Sequence, residues 1–352
     1  MKKVLVALSG GVDSSVAAAL LLEQGCEVVG ATMRLWSAPG AELENRCCTP
    51  ETRSVAARLA EQLSIPFTVL DETETFRKIV VQQFLDGYTR GETPNPCVTC
   101  NRFLKWGALW DYAQSIGADF LATGHYARVL ARPEGHFELW KGRDPGKDQT
   151  YFLSMLTQEQ LAHTLFPLGE LLKSDVRRIA RERGLPAADQ PESQDLCFLG
   201  ERDYRDFLSE YAPETVQPGL ITDRGGKVLG EHKGLAFYTI GQRKGLPAAA
   251  QALYVWKKDI ENNRLIVCPA EELGAETLRV TDLNWISGAV PRSSFQAEVK
   301  IRFRAAPALG TVTSELDGSV IVRFDKPLRD ITPGQLAVFY QGERVLGGGW
   351  IS

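Results

Sequence analysis

A glycine-rich segment near the start of the chain contains the first residues whose types and spacing suggest chemistry. It spans Ser9–Ser15 with the sequence SGGVDSS, between an apolar run and a helical pattern. Adjacent glycines allow a tight turn and a close approach of the backbone to a ligand. The N–H groups and the dipole at the start of a helix favour an anion. The segment therefore predicts a phosphate-binding loop, with further donors from its serine hydroxyls.

The residues around the glycines exclude two known kinds of phosphate loop. No lysine follows them as in a Walker A loop, and the GxGxxG dinucleotide pattern is absent. Asp13 is expected either to cap the helix or to face a Mg²⁺ ion held by phosphates. The alternative to a phosphate-binding loop is an ordinary capped turn between a strand and a helix. The segment resembles the pyrophosphate loop of the N-type ATP pyrophosphatases, which adenylate a substrate oxygen and release pyrophosphate.

Two further segments place cysteines among polar residues. Thr93–Asn101 contains Cys97 and Cys100, and Glu192–Phe198 contains Cys197. Two prolines disfavour helix in the first segment, so a helix is predicted to begin near its end. Cys100 would then lie at a helix N-terminus, a position that lowers the pKa of a thiol and favours the reactive thiolate.

The other cysteines suggest less chemistry. The chain has seven cysteines, an odd number at irregular spacing, which does not indicate a disulfide scaffold. Cys26 and Cys268 lie in apolar contexts and are predicted to be core residues. Cys47 and Cys48 lie in a predicted loop and are either metal-linked or incidental. A zinc site at the CxxC pair would need two more ligands, and neither a second CxxC nor a histidine pattern supplies them.

Alternating strand and helix patterns position these residues in the first part of the chain. Strands that alternate with helices of this length predict a doubly wound α/β domain with a parallel sheet. The predicted strands are Lys3–Leu8, Glu27–Met33, Phe67–Leu70 and Asp119–Thr123. The predicted helices are Asp13–Gln24, Pro50–Leu63, Thr73–Phe84, Phe103–Ile116 and Leu172–Arg183.

The composition changes near residue 200, which predicts further domains. A short helix is predicted at Glu201–Tyr211, and the chain after Pro218 is rich in glycine. The predicted organisation is an ATP pyrophosphatase domain with the cysteines at 1–200, a small central linking domain at 201–270 and a C-terminal antiparallel β-barrel at 271–352. The C-terminal strands are predicted at Phe295–Arg304, Ser319–Phe324, Leu336–Tyr340 and Arg344–Trp350.

The charge balance restricts where an RNA could bind. The formal net charge is −4, so a site for nucleic acid must be a local basic face. Lys300, Arg302 and Arg304 share one face of a predicted strand, and the helix Leu172–Arg183 is rich in arginine. Both are either phosphate contacts or solvated faces. No signal peptide or membrane span is apparent, which predicts a cytoplasmic protein without membrane partners.

The phosphate loop and the cysteine segments together resemble the bacterial tRNA-specific 2-thiouridylase family. The resemblance extends over essentially the whole chain and implies an adenine nucleotide alpha hydrolase-like fold. It also implies ATP-dependent conversion of the wobble uridine of tRNA to 2-thiouridine, with AMP and diphosphate as products. The matching segments are Ser9–Ser15, Thr93–Asn101, Thr123–Ala127, Lys147–Gln149, Ser193–Phe198, Tyr238–Leu246 and Lys300–Arg304.

The resemblance also implies roles for individual residues. Cys100 aligns with the catalytic nucleophile, and Cys197 aligns with the cysteine that carries a persulfide and forms a transient disulfide with it. The implied ATP contacts are Ala7, Leu8, Ser9, Gly10, Gly11, Val12, Asp13, Ser14, Met33 and Gly124. The implied contacts to tRNA or its target base are Asn95, Pro96, Cys97, His125, Lys147, Asp148, Gln149, Arg302, Phe303 and Gln335.

One position departs from the family pattern. Some members have an aspartate, cast as a general acid/base, where this chain has Cys97. A thiol replaces such a group only partly. As an alternative, Cys97, Cys100 and Cys197 supply three ligands for an iron–sulfur cluster, which is normally held by cysteine thiolates.

The implied cofactors and partners follow from the same resemblance. They are ATP, Mg²⁺, tRNAs for Lys, Glu and Gln, and an upstream persulfide donor such as a cysteine desulfurase or a sulfur relay protein. Two other functions compete with this one. One is a synthetase that adenylates a small metabolite, which leaves the cysteines and the β module unexplained. The other is a non-catalytic RNA-binding or sulfur-relay protein with a degenerate ATP loop.

Overall fold

A computed structural model describes residues 1–39, 50–188, 196–200 and 202–352 of the chain. The predictions for Cys47, Cys48 and the segment 192–195 concern residues outside these ranges. None of the helices in the described ranges is long and apolar enough to cross a membrane.

The first part of the chain forms a parallel sheet, as predicted. Within the described ranges this sheet has five strands in the order β3-β2-β1-β4-β7. The central strand has the sequence KVLVA and is buried on both faces, which explains its continuous apolar run. The strands up to this point are β1 (Lys3–Ala7), β2 (Glu27–Arg34), β3 (Phe67–Asp71), β4 (Phe120–Ala122), β5 (Ala127–Ala131), β6 (Phe137–Lys141) and β7 (Thr164–Leu165).

Helices cover both faces of this sheet and confirm the doubly wound fold. The helices are α1 (Val12–Glu23), α2 (Pro50–Gln62), α3 (73–89), α4 (96–115), α5 (Thr150–Leu153), α6 (Gln158–Ala162), α7 (Lys173–Glu182) and α8 (Tyr204–Tyr211). Val4 and Val6 pack with α1, α2 and α7 on one face, whereas Leu5 packs with α4 on the other.

The helix that carries the cysteines begins earlier than predicted. α4 starts at Pro96, with Asn95 at the N-cap position, and not near Asn101. Proline is acceptable at the first position of a helix, because its missing N–H would have no partner there. Cys100 is consequently the fifth residue of α4 and not its N-terminal residue. The segment Asn101–Ala108 that follows is π-helical, a distortion often found at functional sites.

The central part of the chain forms a small separate sheet. Within the described ranges its strand order is β10-β11-β8-β9, with β11 parallel to β8 and the other neighbours antiparallel. Its strands are β8 (Gly219–Asp223), β9 (Val228–His232), β10 (Leu253–Asp259) and β11 (Arg264–Pro269).

The last part of the chain forms the predicted antiparallel barrel. In the described ranges six strands follow one another in the order β12-β15-β14-β13-β16-β17, and pairing of β12 with β17 closes the barrel. These strands are β12 (Ala275–Trp285), β13 (Ser294–Lys300), β14 (Ala308–Ser314), β15 (Val320–Leu328), β16 (Leu336–Gln341) and β17 (Arg344–Ile351).

The predicted strand Phe295–Arg304 was too long. β13 ends at Lys300, and the chain then turns, with the Ala305 N–H donating to the Arg302 carbonyl. Arg302 and Arg304 therefore do not share a strand face with Lys300. Alternating apolar residues continue into this turn, so the period of two alone does not reveal where the strand ends.

A hairpin from the first part of the chain extends the barrel sheet, which the sequence patterns did not predict. β5 and β6 pair with each other, and β6 pairs with β17 through Trp140–Arg344 and Leu139–Val345. Leu139 is fully buried at this junction. The barrel is thereby joined directly to the segment that follows β4.

Candidate active site

The phosphate loop joins β1 to α1 at the carboxyl edge of the parallel sheet. The Ser9 N–H donates to Ser14 Oγ at 3.2 Å, while the hydroxyls of Ser14 and Ser15 donate to the Gly11 carbonyl at 3.0 and 2.9 Å. Gly11 occupies the N-cap position without a side-chain cap. Asp13 is therefore not the cap that the sequence suggested. These bonds hold the loop in the shape that exposes the start of α1 to an anion.

Two glycines permit the close packing of this loop. Gly10 has a φ of +74°, and a Cβ there would lie 2.5 Å from the Thr52 carbonyl oxygen at the start of α2. A Cβ on Gly124, which follows β4, would lie 2.7 Å from the Asp13 carbonyl carbon. Met33 lies near the end of β2, beside β1. The predicted ATP contacts therefore meet at one edge of the sheet. This ATP edge comprises the phosphate loop, Met33 and Gly124.

Asp13 is held by two residues that the sequence did not single out as its partners. Its carboxylate accepts hydrogen bonds from Lys173 Nζ at 2.7 and 2.8 Å and from the Tyr126 hydroxyl at 2.8 Å. Lys173 is only 8% exposed. The lysine therefore neutralises Asp13 and ties α7 to the phosphate loop, a partnership across 160 positions that no local pattern reveals.

Replacing Lys173 with methionine should destabilise the protein and weaken ATP binding. The Asp13 carboxylate would keep the Tyr126 hydroxyl but lose its cation, at a cost of about 1–3 kcal/mol. Chemical denaturation and ATP titration measure the two effects. Arg178→Met is the control on the same helix, because Arg178 makes an exposed pair with Glu182 that contributes little. Equal stabilities for the two variants would contradict the prediction.

His125 lies immediately after Gly124 and contacts α4. Its Nδ1 is 2.6 Å from Thr123 Oγ1, and its Nε2 is 3.4 Å from Lys105 Nζ. An ammonium only donates, so Nε2 accepts and Nδ1 carries the proton. Burial, and secondarily the Lys105 charge, lowers the pKa of His125 well below its ordinary value. The imidazole is therefore neutral near pH 7 and connects the ATP edge to the cysteine helix.

The lowered pKa of His125 predicts a loss of stability in acid. Below about pH 6.5 the unfolded chain binds a proton at this residue that the folded chain does not. The free energy of unfolding should thus fall with decreasing pH, by up to about 1.4 kcal/mol per pH unit from this residue, until its folded pKa is reached. Above about pH 6.5 the contribution is zero. Denaturation of wild type and His125→Asn from pH 5 to 8 should show a shallower slope in the variant, and equal slopes would contradict the assignment.

Cys100 and Cys197 pack against the same apolar cluster. That cluster includes Phe84, Leu104 and Phe198, and both cysteines are partly buried against it. Cys197 begins a short 3₁₀ turn at Cys197–Leu199. The structure therefore brings the two predicted sulfur carriers, 97 positions apart in sequence, to one region of the molecule.

The cysteines do not form a preassembled metal site. Throughout the ranges that the structure describes, no three His, Cys, Asp or Glu side chains are placed to hold a metal ion. Cys97 is exposed, whereas Cys100 and Cys197 are partly buried. This arrangement does not fit an iron–sulfur cluster on the three cysteines. The Lys173 pair on Asp13 likewise does not fit a resident Mg²⁺ at that carboxylate.

Several predicted tRNA contacts converge on the short helix α5. Asn95 lies beside the buried Tyr151, whose hydroxyl donates to the Leu336 carbonyl at 3.1 Å. The rings of Phe152 and Phe303 have centroids 4.5 Å apart. α5 therefore links the start of the cysteine helix to the barrel.

The barrel also binds the segment that precedes α4. Gln335 Nε2 donates to the Thr93 carbonyl at 2.7 Å, and the Thr93 N–H donates to the Pro333 carbonyl at 2.9 Å. Arg302 donates to the Ile240 carbonyl at 2.9 Å and also to a barrel hydroxyl. Gln335 thus joins the barrel to the segment before α4, and Arg302 joins the barrel to the central part of the chain. That either residue contacts tRNA stays a prediction.

The segment Lys147–Gln149 lies beside the ATP edge. The Gln149 side chain accepts from the Tyr126 N–H at 3.0 Å, and the Asp148 carboxylate accepts from the Thr150 hydroxyl at 2.9 Å. Lys147 follows Pro145 and Gly146 in a turn, with its N–H donating to the Asp144 carbonyl. Three segments predicted to contact tRNA therefore surround α5.

The arginine-rich helix α7 is largely engaged in ion pairs. Arg178 pairs with Glu182 at 3.0 Å, Arg183 pairs with Glu23 at 2.7 Å, and Lys173 holds Asp13. The exposed Arg178–Glu182 pair supports the solvated-face interpretation for Arg178. Lys173 lies on the helix predicted at Leu172–Arg183, but a lysine at the start of a helix gives no signal of a buried partner.

Three family models match consecutive parts of the chain. They are described as a tRNA methyl transferase HUP domain at residues 2–201, a tRNA methyl transferase PRC-barrel domain at 205–269 and an aminomethyltransferase beta-barrel domain at 275–351. The models follow the order of the parallel-sheet domain, the small central sheet and the closed barrel.

Full-length relatives carry one common name. The tRNA-specific 2-thiouridylase MnmA of Chloroflexus aggregans is 47% identical over 354 residues, covering 100% of this chain and 99% of that protein. The protein of the same name from Geobacter metallireducens is 48% identical, covering 99% and 96%. A solved 4-thiouridine synthetase–RNA complex covers 60% of this chain and 51% of its own at 15% identity and a TM-score of 0.37, too distant to inform the site.

The matches and the geometry agree on a single family. The first family model alone covers more than half of the chain, and both relatives match nearly their entire length. The phosphate loop, Cys100 and Cys197 occupy the parallel-sheet region, and the closed barrel follows them. The chain is therefore a member of the tRNA-specific 2-thiouridylase family.

Proposed function

We propose that this protein is an ATP-dependent tRNA-uridine 2-sulfurtransferase, which makes 2-thiouridine at the wobble position of the anticodon. The observation that carries the proposal is the meeting of the ATP edge and the cysteine helix at His125, through the Lys105 contact of 3.4 Å. An enzyme that must first activate a base with ATP and then deliver sulfur needs both parts within reach of one substrate atom.

The first step activates the target carbonyl. The C2 oxygen of uridine attacks the α-phosphorus of ATP, the bond from that phosphorus to the bridging oxygen breaks, and pyrophosphate leaves as the N3 proton is lost. The phosphate loop at Ser9–Ser14 and the start of α1 bind and orient the leaving phosphates. Mg²⁺ enters with ATP as part of the substrate and screens its phosphate charge.

The second step replaces oxygen with sulfur. Cys197 carries a persulfide, received from a cysteine desulfurase or a sulfur relay protein. In one route the Cys100 thiolate attacks Cys197 Sγ, which releases HS⁻ and leaves a Cys100–Cys197 disulfide. The HS⁻ bonds to C2, AMP leaves with the former oxygen, and the hydrogen ends on N3. A thiol reductant then restores both cysteines. In the other route the terminal persulfide sulfur attacks C2 while Cys100 assists proton transfer, and AMP leaves with the former oxygen. The thiol reductant then cleaves the S–S bond to Cys197, which leaves the sulfur on C2 and restores the Cys197 thiol.

The tRNA is recognised by the segments around α5. An anticodon loop presents unstacked bases that a protein can draw into a pocket. Asn95, Pro96 and Cys97, at the start of the cysteine helix, are proposed to contact the target base. The other contacts and the tRNAs for Lys, Glu and Gln follow from the family, and the enzyme is proposed to work in the cytoplasm.

The deciding experiment is ATP-dependent sulfur incorporation into unmodified tRNA. Purified protein, Mg²⁺, a persulfide-generating donor and tRNA are combined, and thiolated tRNA is detected by its retardation in a mercury gel. A shifted band that requires ATP establishes the activity. Pyrophosphate release with a small metabolite, without any tRNA affinity, would instead indicate a metabolite-adenylating synthetase.

A further inference from the structure

Lys105 is a cation that the predicted site residues do not include. It lies on α4, five residues after Cys100, and is partly buried. Its hydrogen-bond partner is the neutral His125, with 3.4 Å between Lys105 Nζ and Nε2. Among the residues that the structure describes, no carboxylate pairs with this ammonium. A half-buried lysine in such a position lacks the counter-charge that usually accompanies burial.

The surroundings of Lys105 strengthen the effect of its charge. The rings of Trp106 and Phe166 lie 5.8 and 6.0 Å from the His125 ring, centroid to centroid. Apolar walls lower the effective dielectric constant, so a charge there attracts an anion more strongly than it would in water. The contact surface of Lys105 is therefore suited to an anionic ligand.

Lys105 also lies between the residues predicted to bind ATP and the residues predicted to transfer sulfur. His125 follows Gly124, whose Cα packs against the Asp13–Ser14 backbone of the phosphate loop. On the other side, α4 carries Lys105 and Cys100 on one continuous helical segment. An anion that touches both the phosphate loop and the sulfur site would pass beside this ammonium.

We propose that Lys105 binds the phosphate that joins the nucleotide to the target base, an inference that rests on the proposed function. In the adenylate this phosphate is bonded to the C2 oxygen of uridine. When sulfide forms the C2–S bond, the C2–O bond breaks and the phosphate leaves as AMP with increased negative charge. A fixed cation stabilises the developing charge and thereby speeds the departure of AMP. Lysine suits this task as a compact point charge.

Kinetics of two Lys105 variants test the proposal. Lys105→Met should lower kcat for thiolation by about 10²-fold, and Lys105→Arg should recover at least about one-tenth of the wild-type rate. Lys78→Met, an exposed lysine on α3, is the matched control for the loss of one charge. Wild-type kcat in Lys105→Met, or equal loss in the Met and Arg variants, would overturn the proposal.

Binding of AMP provides a readout that needs neither tRNA nor a sulfur donor. Calorimetry should give a Kd for AMP roughly tenfold weaker for Lys105→Met than for wild type, with Lys105→Arg and Lys78→Met close to wild type. Equal AMP affinity in the Met variant would overturn the phosphate contact. If wild type bound AMP through Lys105 and yet thiolated no tRNA, the proposed function would fail while the phosphate contact stood.

Discussion

Cys197→Ser is expected to lose persulfide-dependent thiolation of tRNA by roughly 10³-fold or more. A serine hydroxyl cannot hold the sulfane sulfur that a persulfide carries. ATP-dependent pyrophosphate release should continue, because Cys197 packs against an apolar cluster with Phe84 and Phe198 and is not part of the phosphate loop. Mercury-gel retardation and a coupled pyrophosphate assay measure the two activities on the same preparation.

A second sulfur source separates the role of Cys197 from a structural one. If Cys197 only carries sulfur that is released as HS⁻, excess inorganic sulfide should restore thiolation in Cys197→Ser. Cys26→Ser is the control, because Cys26 is also a partly buried thiol but packs in the core beside α1. Full turnover of Cys197→Ser with a persulfide donor would refute the assignment of Cys197.

Gly10→Ala is expected to reduce pyrophosphate release by about 10²-fold, because the phosphate loop must shift. The added Cβ would lie 2.5 Å from the Thr52 carbonyl oxygen, a backbone atom that cannot simply rotate away. A left-handed conformation adds a cost of roughly 1–2 kcal/mol for a residue with a Cβ. The rate of ATP-dependent pyrophosphate release, measured against ATP concentration, shows whether the loop still binds phosphate.

Gly25→Ala is the matched control for this substitution. Gly25 has a φ of +77° at the other end of α1, but a Cβ there would meet nothing within 4 Å. It therefore carries the same conformational cost without the clash. Gly25→Ala should lose stability and retain pyrophosphate release. Equal loss of activity in both variants would mean that left-handed backbone strain at the substituted position, and not the contact with Thr52, explains the effect.

Local signals made the phosphate loop and its elements predictable. β1 is marked by its apolar run, α1 ends near Gly25, and the two glycines at the loop indicate a close approach. Each of these signals lies within a few residues of the structure that it specifies. The closed barrel was predictable for a similar reason, since alternation in β13 shows which residues face inward.

The errors arose where local patterns are ambiguous or where partners are distant in sequence. Pro96 suggested an interruption but begins α4, because proline suits both a loop and the first helical position. The Lys173–Asp13 pair and the pairing of β6 with β17 join residues separated by long stretches of chain. Such contacts depend on tertiary packing, so neither the hydrophobic period nor the composition of the sequence predicts them.

The hydrogen bond from the barrel to the segment before α4 has a consequence for synthesis on the ribosome. Gln335 bonds to Thr93 across 242 positions of the chain. At about 5–20 residues per second, the ribosome adds Gln335 roughly 10–50 s after Thr93. The partners of β1 and the phosphate loop, as far as Lys173, are all added before the barrel, whereas the segment before Pro96 waits for the barrel. A nascent chain interrupted before Pro333 therefore has its nucleotide loop but lacks the contacts that fix where the cysteine helix begins.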